Sequence, residues 1–337
     1  PTSAEVVPRF ADSETGLRFR LTVARVDRVT IRLGLQIPNF SYGTGVNELF
    51  PTVIAQAQEA DKAGFDTVFL MDHFYQLPML GTPDQPMLEA YTALGGLATV
   101  TENVQLGTLV TGNSYRNPTV LAKAITTLDV MSQGRAVLGI GTGWFELEHD
   151  SLGFDFGTFT DRFNKLDEAL EIILPMLKGE RPTFSGKYYR TIEAMAEPRF
   201  RDHIPLLIGG SGEKKTIPLA ARYFDHLNVI AGFDELPRKL QVVRESCEKI
   251  GRDPATLETS MLVIAIIDEN LTLDAVPEEI RQQAAVGSVD QVAEQIKTKV
   301  LDVGIDGVVI SPVTSIGGYQ PGVITAVAEK LKPLITG

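Results

Sequence analysis

From Thr30 onward, short apolar runs alternate with segments of helical period. The run 31–37 (IRLGLQI) is rich in strand formers and ends at Pro38-Asn39, and a 3.6-residue pattern follows over 51–63, closed by Gly64. Further apolar runs over 67–71, 104–110, 135–141, 204–210, 226–230, 260–267 and 306–312 predict seven more strands. Helical patterns over 87–101, 119–131, 160–178, 213–223, 236–250, 289–303 and 322–335 predict the helices that follow them. The strand runs lack the polar alternation of a half-exposed sheet, so both of their faces are buried, as in a parallel sheet. Gly64, Gly251 and Gly304 sit where helix C-caps are expected.

Eight strand–helix units in one chain read as an α/β (β/α)₈ TIM-like barrel. The rival is a doubly wound open sheet in two domains, but no Pro/Gly/Ser linker divides the chain. Two stretches break the repeat. Residues 179–203 contain SGK between aromatic and Thr-rich flanks and read as a hairpin insertion, and 268–288 interrupts the seventh unit. Residues 1–29 mix both charge signs without an apolar core and read as a poorly packed extension, leaving 30–337 as one barrel.

Composition narrows the chemistry. The 337 residues carry 31 Lys plus Arg against 43 Asp plus Glu, a formal charge of −12. That argues against a nucleic-acid partner and against a polybasic membrane anchor. No apolar stretch is long enough to span a bilayer. The single cysteine, Cys247, excludes an intrachain disulfide and a thiolate cluster, and fits a reducing, cytoplasmic setting. The four histidines form no ligand pair, so no metal is expected.

Ligands of such a barrel sit at the C-terminal ends of the strands. Strand two ends in Asp72-His73, neighbours that point opposite ways on an extended chain. One enters the barrel mouth while the other supports the loop, and His73 suits proton transfer. Strand three runs into TGNSYRNP, where Thr111, Asn113 and Arg116 offer donors to a ring or an anion, although turn chemistry alone also yields such a run. Strand four ends in Gly139, Gly141 and Gly143, spaced wrongly for a dinucleotide fingerprint; they read as a glycine floor with Trp144 as a pocket wall. Strand five ends in Gly209-Gly210-Ser211, followed by Lys214 and Lys215 at a helix start, which suits a phosphate. Ser211 alternatively caps that helix. These residues specify a phosphate-bearing ligand in a barrel mouth and no more.

The runs IRLGLQIPNF, Asp72-His73, LGTLVTGNSYRNP, LGIGTGWFELEH and PLLIGGSGEKKT resemble the bacterial luciferase-like monooxygenase superfamily, and within it the coenzyme F420-dependent oxidoreductases of actinobacteria. The block 138–149 is the most specific part of that resemblance. It implies a deazaflavin, F420, or the related FMN, backed by a non-prolyl cis peptide at the positions matching Leu109-Val110; with such a ring, Thr111, Gly141 and Gly143 at the strand ends read as cofactor-binding. It implies that His73 lies at the ring's reactive face and that Gly209, Gly210, Ser211 and Lys214 lie near the phosphate. Asp72 is expected to orient His73 or bind the ring's edge. Lys214, Lys215 and Arg116 are the cations expected to offset the anionic cofactor. The sugar-phosphate dehydrogenases of this family carry Trp and Glu where this chain has Leu77 and Trp144, which points away from glucose 6-phosphate. Phe74, Tyr75, Leu77 and Trp144 are expected as apolar substrate walls. The implied reaction is hydride transfer between F420 and a small organic substrate in a homodimeric enzyme. The alternatives are an FMNH₂-dependent monooxygenase served by a separate flavin reductase, and a non-catalytic flavin binder.

Overall fold

The computed structural model describes residues 31–314 and 319–335; the expected extension over 1–29 lies outside them. In chain order the elements are β1 (Leu33–Ile37), α1 (Val46–Ala63), β2 (Thr67–Leu70), α2 (Ala90–Ala98), β3 (Gln105–Thr108), β4 (Thr111–Gly112), α3 (Pro118–Met131), β5 (Ala136–Gly141), α4 (Glu146–Leu152) and α5 (Phe159–Leu177). The chain continues through β6 (Phe184–Ser185), β7 (Arg190–Thr191), β8 (Leu206–Gly209), α6 (Thr216–Tyr223), β9 (His226–Val229), α7 (Leu236–Lys249) and β10 (Glu258–Ile267). It ends with α8 (Glu278–Arg281), β11 (Ala284–Gly287), α9 (Val289–Ile296), β12 (Gly307–Thr314) and α10 (Val323–Ile335).

Eight strands close on themselves in the order β1, β2, β3, β5, β8, β9, β10, β12, every pairing parallel. This is the (β/α)₈ barrel that the alternating pattern predicts. The insertion over 179–203 contains the antiparallel pair β6–β7. The irregular stretch over 268–288 holds a further strand, β11, which pairs with the C-terminal half of the long β10. Two cores result. Ile31, Phe69, Leu109, Val137, Leu207 and Val309 fill the barrel, and a much larger layer packs the helices onto its outside. Burying a side chain of Leu or Phe size contributes roughly 1.5–3 kcal/mol, so the outer layer supplies most of the stabilisation.

The wall carries one deliberate irregularity. Between the pairings Gly107↔Val137 and Thr111↔Ile140, the β3–β4 side runs four residues while β5 runs three. The extra residue is a bulge, and the Leu109–Val110 peptide within it is cis. The bulge presses on β5. A Cβ on Gly139 would come within 2.0 Å of the Thr108 carbonyl oxygen, so only glycine fits there. The Val110 side chain fills the space that side chains at Gly141 and Gly209 would take, with Cβ-to-methyl distances of 3.0 and 3.1 Å.

The barrel interior also holds polar side chains beside its apolar cluster. His226 and Asn228 on β9 are buried and share the Ser260 hydroxyl at 2.7 and 2.8 Å. Nδ1 of His226 has no hydrogen-bond partner among the described residues. Burial, reinforced by the Arg32 charge, lowers this imidazole from its ordinary 6.5 to about 3. The folded protein therefore keeps His226 neutral where the unfolded chain would protonate it. This contribution to stability is complete above pH 6.5 and is lost as pH falls towards 3, at up to about 1.4 kcal/mol per pH unit. Urea titrations of His226→Gln between pH 7.5 and 4.5 are expected to show a flatter acid limb than the parent; equal slopes would contradict a neutral buried imidazole.

Candidate active site

His73 follows β2 and is held from the side. Its Nδ1 lies 2.9 Å from Oε2 of Glu148. Glu148 sits on α4, a helix the sequence pattern does not announce, and is 0% exposed. The same carboxylate accepts the backbone N–H groups of Phe74 and Tyr75 and the hydroxyl of Tyr115. Burial pushes Glu148 upward, but hydrogen bonding from His73 and Tyr115 outweighs it and holds the carboxyl below its ordinary value. Burial, then Glu148 itself, raises the Tyr115 phenol, which stays protonated and donates. Trp144 stands beside His73, ring centroids 5.7 Å apart, and is 53% exposed at the rim.

Asp72 points the other way, as two neighbours on an extended chain must, but it does not orient His73. Its carboxylate takes both arms of the Arg116 guanidinium at 2.5 and 2.9 Å, and Arg116 also binds Glu89 at 2.5 Å. Burial opposes the charge on Arg116; the Asp72 charge and hydrogen bonds win and raise its proton affinity. Arg116 is thus a buried clamp between the β2 loop and the start of α2, and not a cation free for a ligand. The guanidinium lies over the Tyr91 ring, 4.9 Å from its centroid.

The bulge residues form the inner wall. The carbonyl of Leu109, in the cis peptide, accepts from Nε2 of Gln36 on β1 at 3.1 Å. Val110 is half-buried and lies over the positions of Gly139, Gly141 and Gly209, so those glycines make room for a valine before any ligand. Thr111 is buried, and its hydroxyl is engaged by Tyr91 at 2.6 Å and Thr108 at 2.7 Å. That side chain belongs to the wall and not to the ligand surface. Gly143 takes a positive φ of 78°, and a Cβ there would strike the Ser114 hydroxyl at 2.3 Å.

One of the expected substrate walls, Leu77, is covered, and Phe74 is half-buried. Leu77 is 6% exposed, packed with Met71 and Phe145. The Phe74 ring packs on Tyr115 and Phe154, with centroids 5.2 and 5.6 Å away. The loop after β2 folds these apolar side chains inward, where burial is worth more than a place at the rim. Tyr75 is half-buried against the Leu77 cluster, and Trp144 alone of the four stands well exposed.

On the far side of the mouth, β8 runs into Gly210, whose φ of 134° suits only glycine. The helix α6 starts at Thr216, three residues later than the periodicity predicts, because the chain first makes a wide turn closed by Ile217 N–H on the Gly212 carbonyl. Ser211 does not cap it; Lys215 holds that position without a side-chain bond. The backbone N–H groups of Ser211, Gly212, Glu213 and Lys214 find no acceptor among the described residues. Lys214 is exposed and makes no ion pair among the described residues, whereas Lys215 lies over the rings of Phe159 and Phe163. Free N–H groups leading into a helix start, with a lysine beside them, have the donor chemistry of an anion site.

Elsewhere, a groove of about 900 Å³ between α2, α3 and the β6–β7 hairpin contains none of the expected site residues. No metal-holding group of His, Cys, Asp and Glu occurs among the described residues, and no described helix is long and apolar enough to cross a membrane. Glu148, Tyr115 and Gln36 are the site residues that sequence reasoning misses. The available signal is that each lies inside a run that carries the family resemblance: Gln36 in 31–40, Tyr115 in 106–118 and Glu148 in 138–149.

The family model for luciferase-like monooxygenases matches residues 31–273. A relative from Nakamurella multipartita, an F420-dependent glucose-6-phosphate dehydrogenase, is 36% identical over 66% of this chain and 66% of its own length. An F420-dependent hydroxymycolic acid dehydrogenase of Mycobacterium tuberculosis is 31% identical over 74% of this chain and 69% of its own. The matches thus span about two thirds of these relatives. The solved structure of an F420-dependent secondary alcohol dehydrogenase in complex with an F420-acetone adduct superposes with a TM-score of 0.76 at 20% identity, covering 91% of this chain and 99% of the other. With a bulged barrel wall, a histidine at the end of the second strand and an anion-suited turn after β8, the chain belongs to the luciferase-like monooxygenase family.

Proposed function

We propose that the protein is an F420-dependent oxidoreductase acting on a small, apolar organic substrate. The observation that carries the reading is the pairing of two features around one mouth. His73 is fixed at the end of β2, and the turn over 211–214 is rich in unpaired N–H donors at the end of β8. The two F420-dependent relatives support the choice of cofactor.

The residues present fit such a group. Ser211, Gly212 and Lys214, whose N–H groups and one cation have no partner among the described residues, would hold its phosphate, and Val110 and the Leu109–Val110 peptide would back its ring. A deazaflavin, when bound, supplies hydride chemistry. His73 would give or take the accompanying proton, a service worth about 10²–10⁴-fold in rate. Trp144 would bound the substrate on its exposed side, and the Asp72–Arg116–Glu89 clamp holds the β2 loop that carries His73. Orientation, more than bond-making side chains, is what such a mouth contributes. By the family resemblance, Trp144 in place of a glutamate points to a substrate other than glucose 6-phosphate.

The test is a parallel titration of the protein with F420 and FMN, followed by fluorescence quenching or calorimetry. Affinity for F420 is expected to exceed that for FMN by about tenfold or more, roughly 1.4 kcal/mol. Equal or inverted affinities would remove the reading in favour of the FMN-dependent monooxygenase. Oxygen uptake with reduced FMN and substrate would then be the measurement to make.

A further inference from the structure

We infer that Glu148 is a positioning residue that fixes the tautomer of His73, so that Nε2 is the atom that exchanges a proton with the substrate. The second half rests on the function proposed above; the first half stands on geometry alone.

Four groups converge on one carboxylate that is 0% exposed: Nδ1 of His73 at 2.9 Å, the N–H of Phe74, the N–H of Tyr75 at 2.9 Å, and the Tyr115 hydroxyl. Two of the four are backbone donors that cannot reverse their polarity. They come from the two residues immediately after His73, so the carboxylate is set by the same stretch of chain as the imidazole. The phenol donates too, being held protonated by burial and by the carboxylate. An ionised carboxylate offers only lone pairs. Nδ1 of His73 must therefore carry its proton when the ring is neutral, which leaves the lone pair on Nε2. A proton arriving at Nε2 creates an imidazolium in contact with a buried anion, an arrangement that stabilises it. The ring is also walled. Tyr115, Trp144 and Phe145 meet it edge-on with centroids 6.5, 5.7 and 5.9 Å away, which limits its rotation.

The carboxylate that such a histidine requires is thus not the adjacent Asp72, which is committed to Arg116, but one 75 positions further along the chain. The pairs Asp72-His73 and Tyr115-Arg116 are cross-linked twice: Arg116 binds Asp72 directly, and Tyr115 and His73 share Glu148.

The experiment is ¹⁵N-histidine NMR on the cofactor-free protein. His73→Asn assigns the His73 signals among the four histidines. The wild-type spectrum is expected to show Nδ1 protonated and Nε2 bare. In Glu148→Gln the side-chain amide can turn its NH₂ toward Nδ1 and keep its carbonyl on the backbone donors, so the population is expected to shift to the Nε2–H form. Turnover of that variant is expected to fall by about 100-fold or more, with F420 affinity within twofold of wild type. A purely structural role would instead lower affinity and melting temperature together, with the tautomer unmoved. A wild-type His73 protonated at Nε2, or a folded Glu148→Gln protein turning over within threefold of wild type, overturns the inference. Should the variant not fold, the wild-type spectrum decides by itself. Failure of F420 to bind would overturn the functional proposal and leave the tautomer result intact.

Discussion

Replacing His73 with alanine is expected to reduce turnover by about 10³-fold while leaving F420 affinity within about twofold. The expectation follows from where the side chain is anchored. His73 is tied to Glu148 at the base of the rim, while the donors suited to the cofactor phosphate lie beyond β8, three strands away around the barrel. Removing the imidazole takes away a proton-transfer group without touching those donors. It also leaves the Glu148 carboxylate with its two backbone donors and Tyr115, so the protein should still fold. Steady-state kinetics beside a fluorescence titration would measure both quantities. A parallel tenfold loss of affinity and rate would mean that His73 binds the cofactor and does not serve the chemistry; no loss at all would favour a silent binder.

Asp72→Asn is expected to behave in the opposite way. Asp72 is 2% exposed and takes both arms of a guanidinium that is itself largely buried. Removing the charge leaves Arg116 with Glu89 alone as its anionic partner. Glu89 still balances the guanidinium, so the cost is that of a lost charge-assisted hydrogen bond, about 1.5–3 kcal/mol. The melting temperature should therefore drop by several degrees or more. The folded fraction, with His73 still on Glu148, should retain turnover to within about tenfold. A variant as stable as the parent but inactive would restore Asp72 to the chemistry.

The contrast between these neighbours shows what a sequence can disclose. Eight apolar runs announce the barrel because strands buried on both faces cannot alternate polarity, and that signature is local. The opposition of Asp72 and His73 is also local, since it follows from the geometry of an extended chain. Their partners are not. Glu148 lies on a seven-residue helix, ELEHDSL, whose charges look solvated until the barrel wraps the β2 loop across it. Leu77 is legible as apolar but not as covered, because which side of a loop faces in is decided by what packs on it. The same holds for Ser211: a serine before a helix suggests a cap, and two flanking glycines let the chain make a wider turn instead.

The valine of the bulge has a consequence for how this barrel can change. Gly141 and Gly209 face its two methyl groups at 3.0 and 3.1 Å, so each position is hostage to the size of residue 110. An alanine at either glycine is penalised in the present background and becomes tolerable once Val110 shrinks. The three sites are therefore epistatic, and a library that varies Gly141 or Gly209 alone would understate what each tolerates beside a smaller residue 110. Randomised together, they offer a route to reshaping the mouth without disturbing His73.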